Sequence, residues 1–183
     1  MHFRKWIGLK RLRLFGAPIY IHWSVIAAVL ALAAISFESP IYAMVTILSY
    51  LGIIVMHECG HAFVARRRGY DVHSMRIGFL HGRCEYEAPE YEWDEVAIAW
   101  GGVVAQFLVA VPVLVLAEIF GRDLGYFGPA IVILGYLNLM IALLNLAPAA
   151  GLDGEIAWRV ISLMRAKRNA RHATERARRK WRQ

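Results

Sequence analysis

Residues 51–65 read Leu-Gly-Ile-Ile-Val-Met-His-Glu-Cys-Gly-His-Ala-Phe-Val-Ala, an apolar run broken by His57, Glu58 and His61. The five residues from His57 to His61 fit H-E-x-x-H. On a helix, side chains four apart share a face, so both imidazoles can reach one metal ion. Glu58, next to the first histidine, can take a proton from water at that ion. Two neutral histidines, a third ligand from elsewhere and a carboxylate base make up the zinc-hydrolase arrangement. Cys59 lies two positions from each histidine and points away from their shared face. A chance match on a solvated helix is the competing explanation. It is disfavoured because two histidines and a glutamate are costly inside so apolar a run unless they act there.

The rest of the chain is equally apolar. Of its 183 residues, 58% are hydrophobic, and the mean hydropathy is +0.44. Such values point to a membrane protein rather than an ordinary soluble domain. The length allows one domain with a tail. The net charge of +7 is gathered in blocks, which suits topology signals and contact with anionic lipid better than binding of nucleic acid. Cys59 and Cys84 make no disulfide framework, and both are expected to be reduced.

Taken in order, residues 1–16 form a basic leader (Arg4, Lys5, Lys10, Arg11, Arg13) with apolar residues suited to lie along a membrane surface. Ala17–Ser36 has the length of a span and, lacking a convincing A-x-A-type cleavage site, reads as a retained anchor. His22 near its start is favoured as a structural or interfacial histidine over a contributor to the site. Phe37–Pro40 is a turn, and Ile41–Ala65 is a second span carrying the H-E-x-x-H motif in its last third. Residues 72–80 and 83–88 read as two short strands around His81-Gly82. Their edge could accept an extended peptide by strand addition, or the hairpin could be a plain connector. His73 and His81 are rival ligands, although loop histidines are more often simply solvated. Val96–Phe120 is a third span. Its Gly101-Gly102 pair permits close backbone approach, and its buried Gln106 needs a partner. Pro112 is expected to kink it. Ala130–Ala147 is a fourth span, with Asn138 and Asn145 on one face. It ends in Asn145-Leu-Ala-Pro-Ala-Ala-Gly-Leu-Asp-Gly154. Pro148 stops the helix, so Asp153 comes from unwound backbone, either as the third ligand or as a cap for the next helix. Residues 155–183 read as an amphipathic helix passing into a basic tail.

Lys and Arg fall in the leader, in residues 66–95 and from Arg159 onward, with Arg122 alone on the other side. The positive-inside rule then puts both termini, the hairpin and the motif end of the second span in the cytoplasm of a bacterial or archaeal cell.

His57-Glu58-x-x-His61 late in one membrane helix, with Asn145-x-x-Pro148-x4-Asp153-Gly154 ending another, resembles the site-2 protease family of intramembrane zinc metalloproteases. The resemblance runs from Gly16-Ala-Pro-Ile-Tyr-Ile-His-Trp-Ser24 to Gly154. It implies Zn2+ on His57, His61 and Asp153, with Glu58 as general base. It also implies substrate and oxyanion support from Asn145 and Pro148. Two departures stand out: Gly82 alone where relatives often carry a proline and paired glycines, and Gln106 where an asparagine is often seen. Both are expected to bear on substrate handling rather than on the metal set. No appended PDZ or CBS domain is expected.

The expected protein is therefore an all-α polytopic membrane protein with four transmembrane helices and a small membrane-associated β-hairpin between the second and third. It divides into a leader (1–16), an intramembrane metalloprotease core (17–154) and a basic cytoplasmic tail (155–183). Its expected partners are a transmembrane protein substrate, such as an anchored transcriptional regulator or its inhibitor, and anionic lipid, but not nucleic acid. The rival reading is a non-catalytic membrane metal-binding protein or metal transporter. A transporter would show a continuous polar path or repeated halves, whereas here the polar residues gather at one depth.

Overall fold

A computed structural model of the chain describes residues 6–35, 39–79, 82–120 and 125–181. Strands β1 (Trp6–Leu14) and β2 (Ala17–His22) open it, followed by helices α1 (Trp23–Ile35) and α2 (Pro40–Arg67). Strands β3 (Val72–Ile77) and β4 (Gly82–Tyr86) lead to α3 (Glu92–Phe120). A third long helix, α4, covers Gly128–Asn145. The short helix α5 (Asp153–Ala157) and the exposed α6 (Arg159–Lys180) complete the chain.

Among the described residues, three helices, α2, α3 and α4, are long and apolar enough to cross a membrane. The expected first span is not a single helix. Its beginning, Ala-Pro-Ile-Tyr-Ile-His, is strand β2, and α1 has only 13 residues. At about 1.5 Å per residue α1 is about 20 Å long, short of a hydrocarbon core about 30 Å thick. Hydropathy alone cannot separate an apolar strand followed by a helix from one continuous span. Pro18, Ile19, Tyr20 and Ile21 suit a strand, and β3 supplies the partner that makes them one.

The fold is thus mostly helical but not all-α. Among the described residues, four strands form one sheet in the order β1-β2-β3-β4, with β1–β2 and β3–β4 antiparallel and β2–β3 parallel. The hairpin expected between the second and third of four spans corresponds to β3–β4, which follows the motif-bearing α2 and precedes α3, the first two of the three long helices, and it belongs to this larger sheet. The residues expected as a leader form β1, which turns into β2 through Phe15 and Gly16 at φ 52° and 83°. That two-residue loop with both φ positive matches the right-handed twist of the strands it joins. The boundary expected at residues 16 and 17 therefore falls inside a hairpin. His22 makes a 2.7 Å hydrogen bond to Ser24 Oγ and packs edge-on to Trp6, a structural role at the strand–helix junction. Part of the turn expected at Phe37–Pro40 lies outside the described residues.

The core sits where α2 meets α3 and the sheet. Ile53, Ala62, Ala65, Met75 and Ile98 are among its buried residues. Gly60 and Gly101 set the closeness of α2 and α3: a Cβ on Gly60 would fall 2.9 Å from that of Ala105, and one on Gly101 would fall 2.6 Å from Gly60 O. The first glycine of the Gly101-Gly102 pair thus serves helix packing. Pro112 is accommodated within α3. Within α4, Ile131–Leu137 winds as a π-helix. Asn138 follows it, fully buried, and its Nδ2 donates to Leu134 O and to Gln106 O on α3.

Candidate metal centre

Helix α2 places His57 and His61 one turn apart with their rings edge-to-face, centroids 4.6 Å apart. Their Nε2 atoms stand 3.1 Å from each other. Asp153, the first residue of α5, completes a triangle: its Oδ2 lies 3.2 Å from His57 Nε2 and its Oδ1 lies 3.3 Å from His61 Nε2. Among the described residues, these three form the group of donor atoms able to hold one ion.

The outer nitrogens show why a cation fits. His61 Nδ1 is 2.8 Å from the carbonyl of Ile98, which can only accept, so Nδ1 carries the hydrogen and the neutral ring keeps a lone pair on Nε2. His57 Nδ1 is 2.9 Å from Gln106 Oε1, with the same consequence. Two lone pairs and a carboxylate thus face one another. Asp153 Oδ2 is buried and makes no hydrogen bond of good geometry despite the nearby imidazole. Such a cluster of acceptors is repulsive unless a cation sits among them. A tetrahedral ion with ligand bonds of about 2.0–2.1 Å spaces its ligands about 3.3 Å apart, close to the triangle observed.

Asp153 arrives through the unwound segment after Asn145. Gly151 there has φ 85°, and a Cβ on Gly154 would strike the carbonyls of Leu146 and Ala147. Trp158 Nε1 donates to Leu146 O at 2.6 Å and Trp100 Nε1 donates to Ala157 O at 3.1 Å, tying α5 to the preceding loop and to α3. The N-cap position is Leu152, and no side chain caps the helix, so capping does not account for Asp153. Glu155, two residues further on, is turned away to accept from Gly151 N–H at 3.0 Å. His73 is exposed on β3, away from the cluster, and His81 lies outside the described residues.

Glu58 is buried at 2% exposure and lines the same cavity as the triad. The backbone of Cys84 on β4 hydrogen-bonds to its carboxylate, and Gly82 packs against it. The cavity, about 730 Å³, is bounded by α2, β4, α3, α4 and the loop carrying Asp153. Asn145 lines it, half-buried; Pro148 is exposed in the bend after α4 and is not among the lining residues. Gly102 faces both imidazoles, and a Cβ there would lie 2.6 Å from His57 Cε1. Cys59 is half-buried and not among the donor atoms.

The two departures from the resembled pattern do not lie where the sequence suggests. Gln106 touches a metal-facing histidine and Gly82 touches Glu58, so both belong beside the reacting groups. The signal for Gln106 was its amide in an apolar run, but sequence spacing gives no way to assign it a partner on another helix.

The sequence profile described as Peptidase family M50 matches residues 45–127. A zinc metalloprotease of Methanocaldococcus jannaschii is 27% identical over 157 residues, covering 84% of this chain and 45% of that protein. A Synechocystis sp. protein provisionally designated a zinc metalloprotease is 28% identical over 166 residues, covering 80% of this chain and 43% of its own length. The chain therefore spans less than half of these two relatives. Its fold is similar to that of the site-2 protease from M. jannaschii, with a TM-score of 0.69 at 24% identity, over 85% of this chain and 71% of that one. The profile match runs through His57-Glu58-x-x-His61, so the chain is similar to peptidase family M50 over that region and shares its fold with the solved site-2 protease.

Proposed function

We propose that the chain is an intramembrane zinc metalloendopeptidase that hydrolyses a peptide bond within or near the transmembrane segment of a membrane protein. The observation that carries this reading is the triangle of His57 Nε2, His61 Nε2 and an Asp153 carboxylate oxygen, with Glu58 buried in the same cavity. The names of the two relatives support zinc as the ion. Zinc held by His57, His61 and Asp153 would supply Lewis acidity, polarising the scissile carbonyl and acidifying water.

Glu58 accepts the proton of the attacking water and passes it to the leaving amine. Its burial beside β4 keeps bulk water from competing for that proton. Asn145 offers its amide toward the substrate carbonyl. A helical substrate must unwind first, because its peptide bonds are hydrogen-bonded and shielded. Strand β4, at one edge of the sheet and against Glu58, offers backbone partners that would hold the unwound segment extended.

The basic blocks favour a topology in which the sheet, the motif end of α2 and both termini face the cytoplasm, with the short α1 serving as the fourth crossing that carries the chain from the sheet to the start of α2. The exposed α6, with Arg165, Lys167, Arg168, Arg171 and further cations, suits an anionic lipid surface. A membrane-anchored regulator or its inhibitor fits as substrate. The test is incubation of the purified protein in lipid with single-span peptides. Cleavage should fall within or beside the apolar segment and stop with a zinc chelator. Cleavage that survives zinc removal, or only in soluble unfolded peptides, contradicts the reading.

A further inference from the structure

Gln106 sits on α3 at 1% exposure, surrounded by apolar helix faces. A buried amide there needs partners, and the structure gives its Oε1 one: His57 Nδ1 at 2.9 Å. Its backbone is held as well, since Asn138 Nδ2 donates to Gln106 O at 3.1 Å and to Leu134 O at 3.2 Å. Asn138 keeps its Oδ1 buried and without a hydrogen-bond partner, so this residue is placed for what its amine end does. Three helices are thereby joined in one line, Asn138 on α4 to Gln106 on α3 to His57 on α2.

The geometry points to Gln106 as the positioning residue of the metal centre: its carbonyl fixes the His57 tautomer, and Asn138 fixes Gln106. The orientation of the amide matters. With Oε1 toward His57, Nδ1 must donate, and Nε2 presents its lone pair to the triangle shared with His61 and Asp153. With the amide reversed, its N–H would demand the Nδ1 lone pair, moving the hydrogen onto Nε2 and blocking the metal-facing atom. His61 needs no such device, because the Ile98 carbonyl can only accept. His57 alone depends on a side chain for its tautomer. Outer partners of this kind typically govern metal affinity by about 10–100-fold.

The inference rests on the proposed zinc site, and its test separates the two. Zinc affinity is measured by competition with a chromophoric chelator for wild type, Gln106→Leu and Gln106→Glu, together with unfolding of each metal-free protein. Gln106→Leu should bind zinc about 10–100-fold more weakly than wild type. Gln106→Glu, which keeps an acceptor of the same length, should stay close to wild type. Wild type that binds no zinc overturns the proposed site itself. Wild type that binds tightly while Gln106→Leu binds equally well overturns the role of Gln106. Should Gln106→Leu not fold, 15N-histidine NMR of the wild-type zinc form decides: a His57 protonated at Nδ1 supports the inference, and one metallated at Nδ1 overturns it.

Discussion

Gly82, the first residue of β4, lies so close to Glu58 that a Cβ at position 82 would fall 2.5 Å from Glu58 Cγ. The strand proposed to hold substrate and the residue proposed as base are thus in direct contact. Gly82→Ala should push the carboxylate or the strand aside. A displacement of this size costs on the order of 100-fold in turnover, while zinc, bound by other residues, should be retained. Parallel assays of cleavage and zinc content check this; undiminished turnover would mean the contact does not set the position of Glu58.

Gly102 stands against the two imidazoles as Gly82 stands against Glu58. Gly102→Ala should therefore act on metal binding first, lowering zinc affinity at least about tenfold by turning the rings. Gly101→Ala is the control, since its Cβ would meet Gly60 and Val64 instead. It should lower thermal stability through overpacking by about 1–3 kcal/mol. A chelator titration and a melting curve for each variant separate the two effects.

Asp153→Asn keeps the shape of the side chain and most capping capacity but weakens a ligand. Because Leu152 holds the N-cap position without a side-chain cap, the metal-free variant should melt as wild type does. Its zinc content should fall, and with it proteolysis. A variant that keeps zinc and activity would show that another residue closes the site.

The parts of this account readable in the sequence are those set by short-range geometry. His57 and His61 share a face because four residues make about one helical turn, and Pro148 with Gly151 and Gly154 signals the unwinding that delivers Asp153. The β3–β4 hairpin is legible from its own alternation. What escaped the sequence depends on partners distant along the chain. Ala17–His22 is a strand because β3, more than fifty residues later, pairs with it. An apolar run carries no mark of that pairing. Gln106 reads as an unexplained buried amide until α2 and α3 are laid together, and Gly82 reads as a turn residue until β4 is placed on Glu58.

Cys84 makes a prediction about solvent chemistry near the site. Burial first, and then the neighbouring Glu58 charge, push its thiol up to about 12. At pH 8 such a thiol is about one part in ten thousand thiolate, against roughly a quarter for an ordinary cysteine. Alkylation at pH 8 should leave Cys84 unmodified in the folded protein and modify it readily after denaturation, read by mass spectrometry. Rapid labelling of the folded protein would show that β4 opens to solvent.

The central claim is that Glu58 performs the proton transfer at a zinc centre it does not itself build. The direct measurement is zinc stoichiometry and cleavage of a membrane-embedded substrate for purified wild type and Glu58→Gln, side by side. The amide fills the same space but cannot accept the proton of the attacking water. Both proteins should hold about one zinc per chain, and wild type alone should cleave. Comparable turnover by Glu58→Gln, or wild type that cleaves without bound zinc, would contradict the claim.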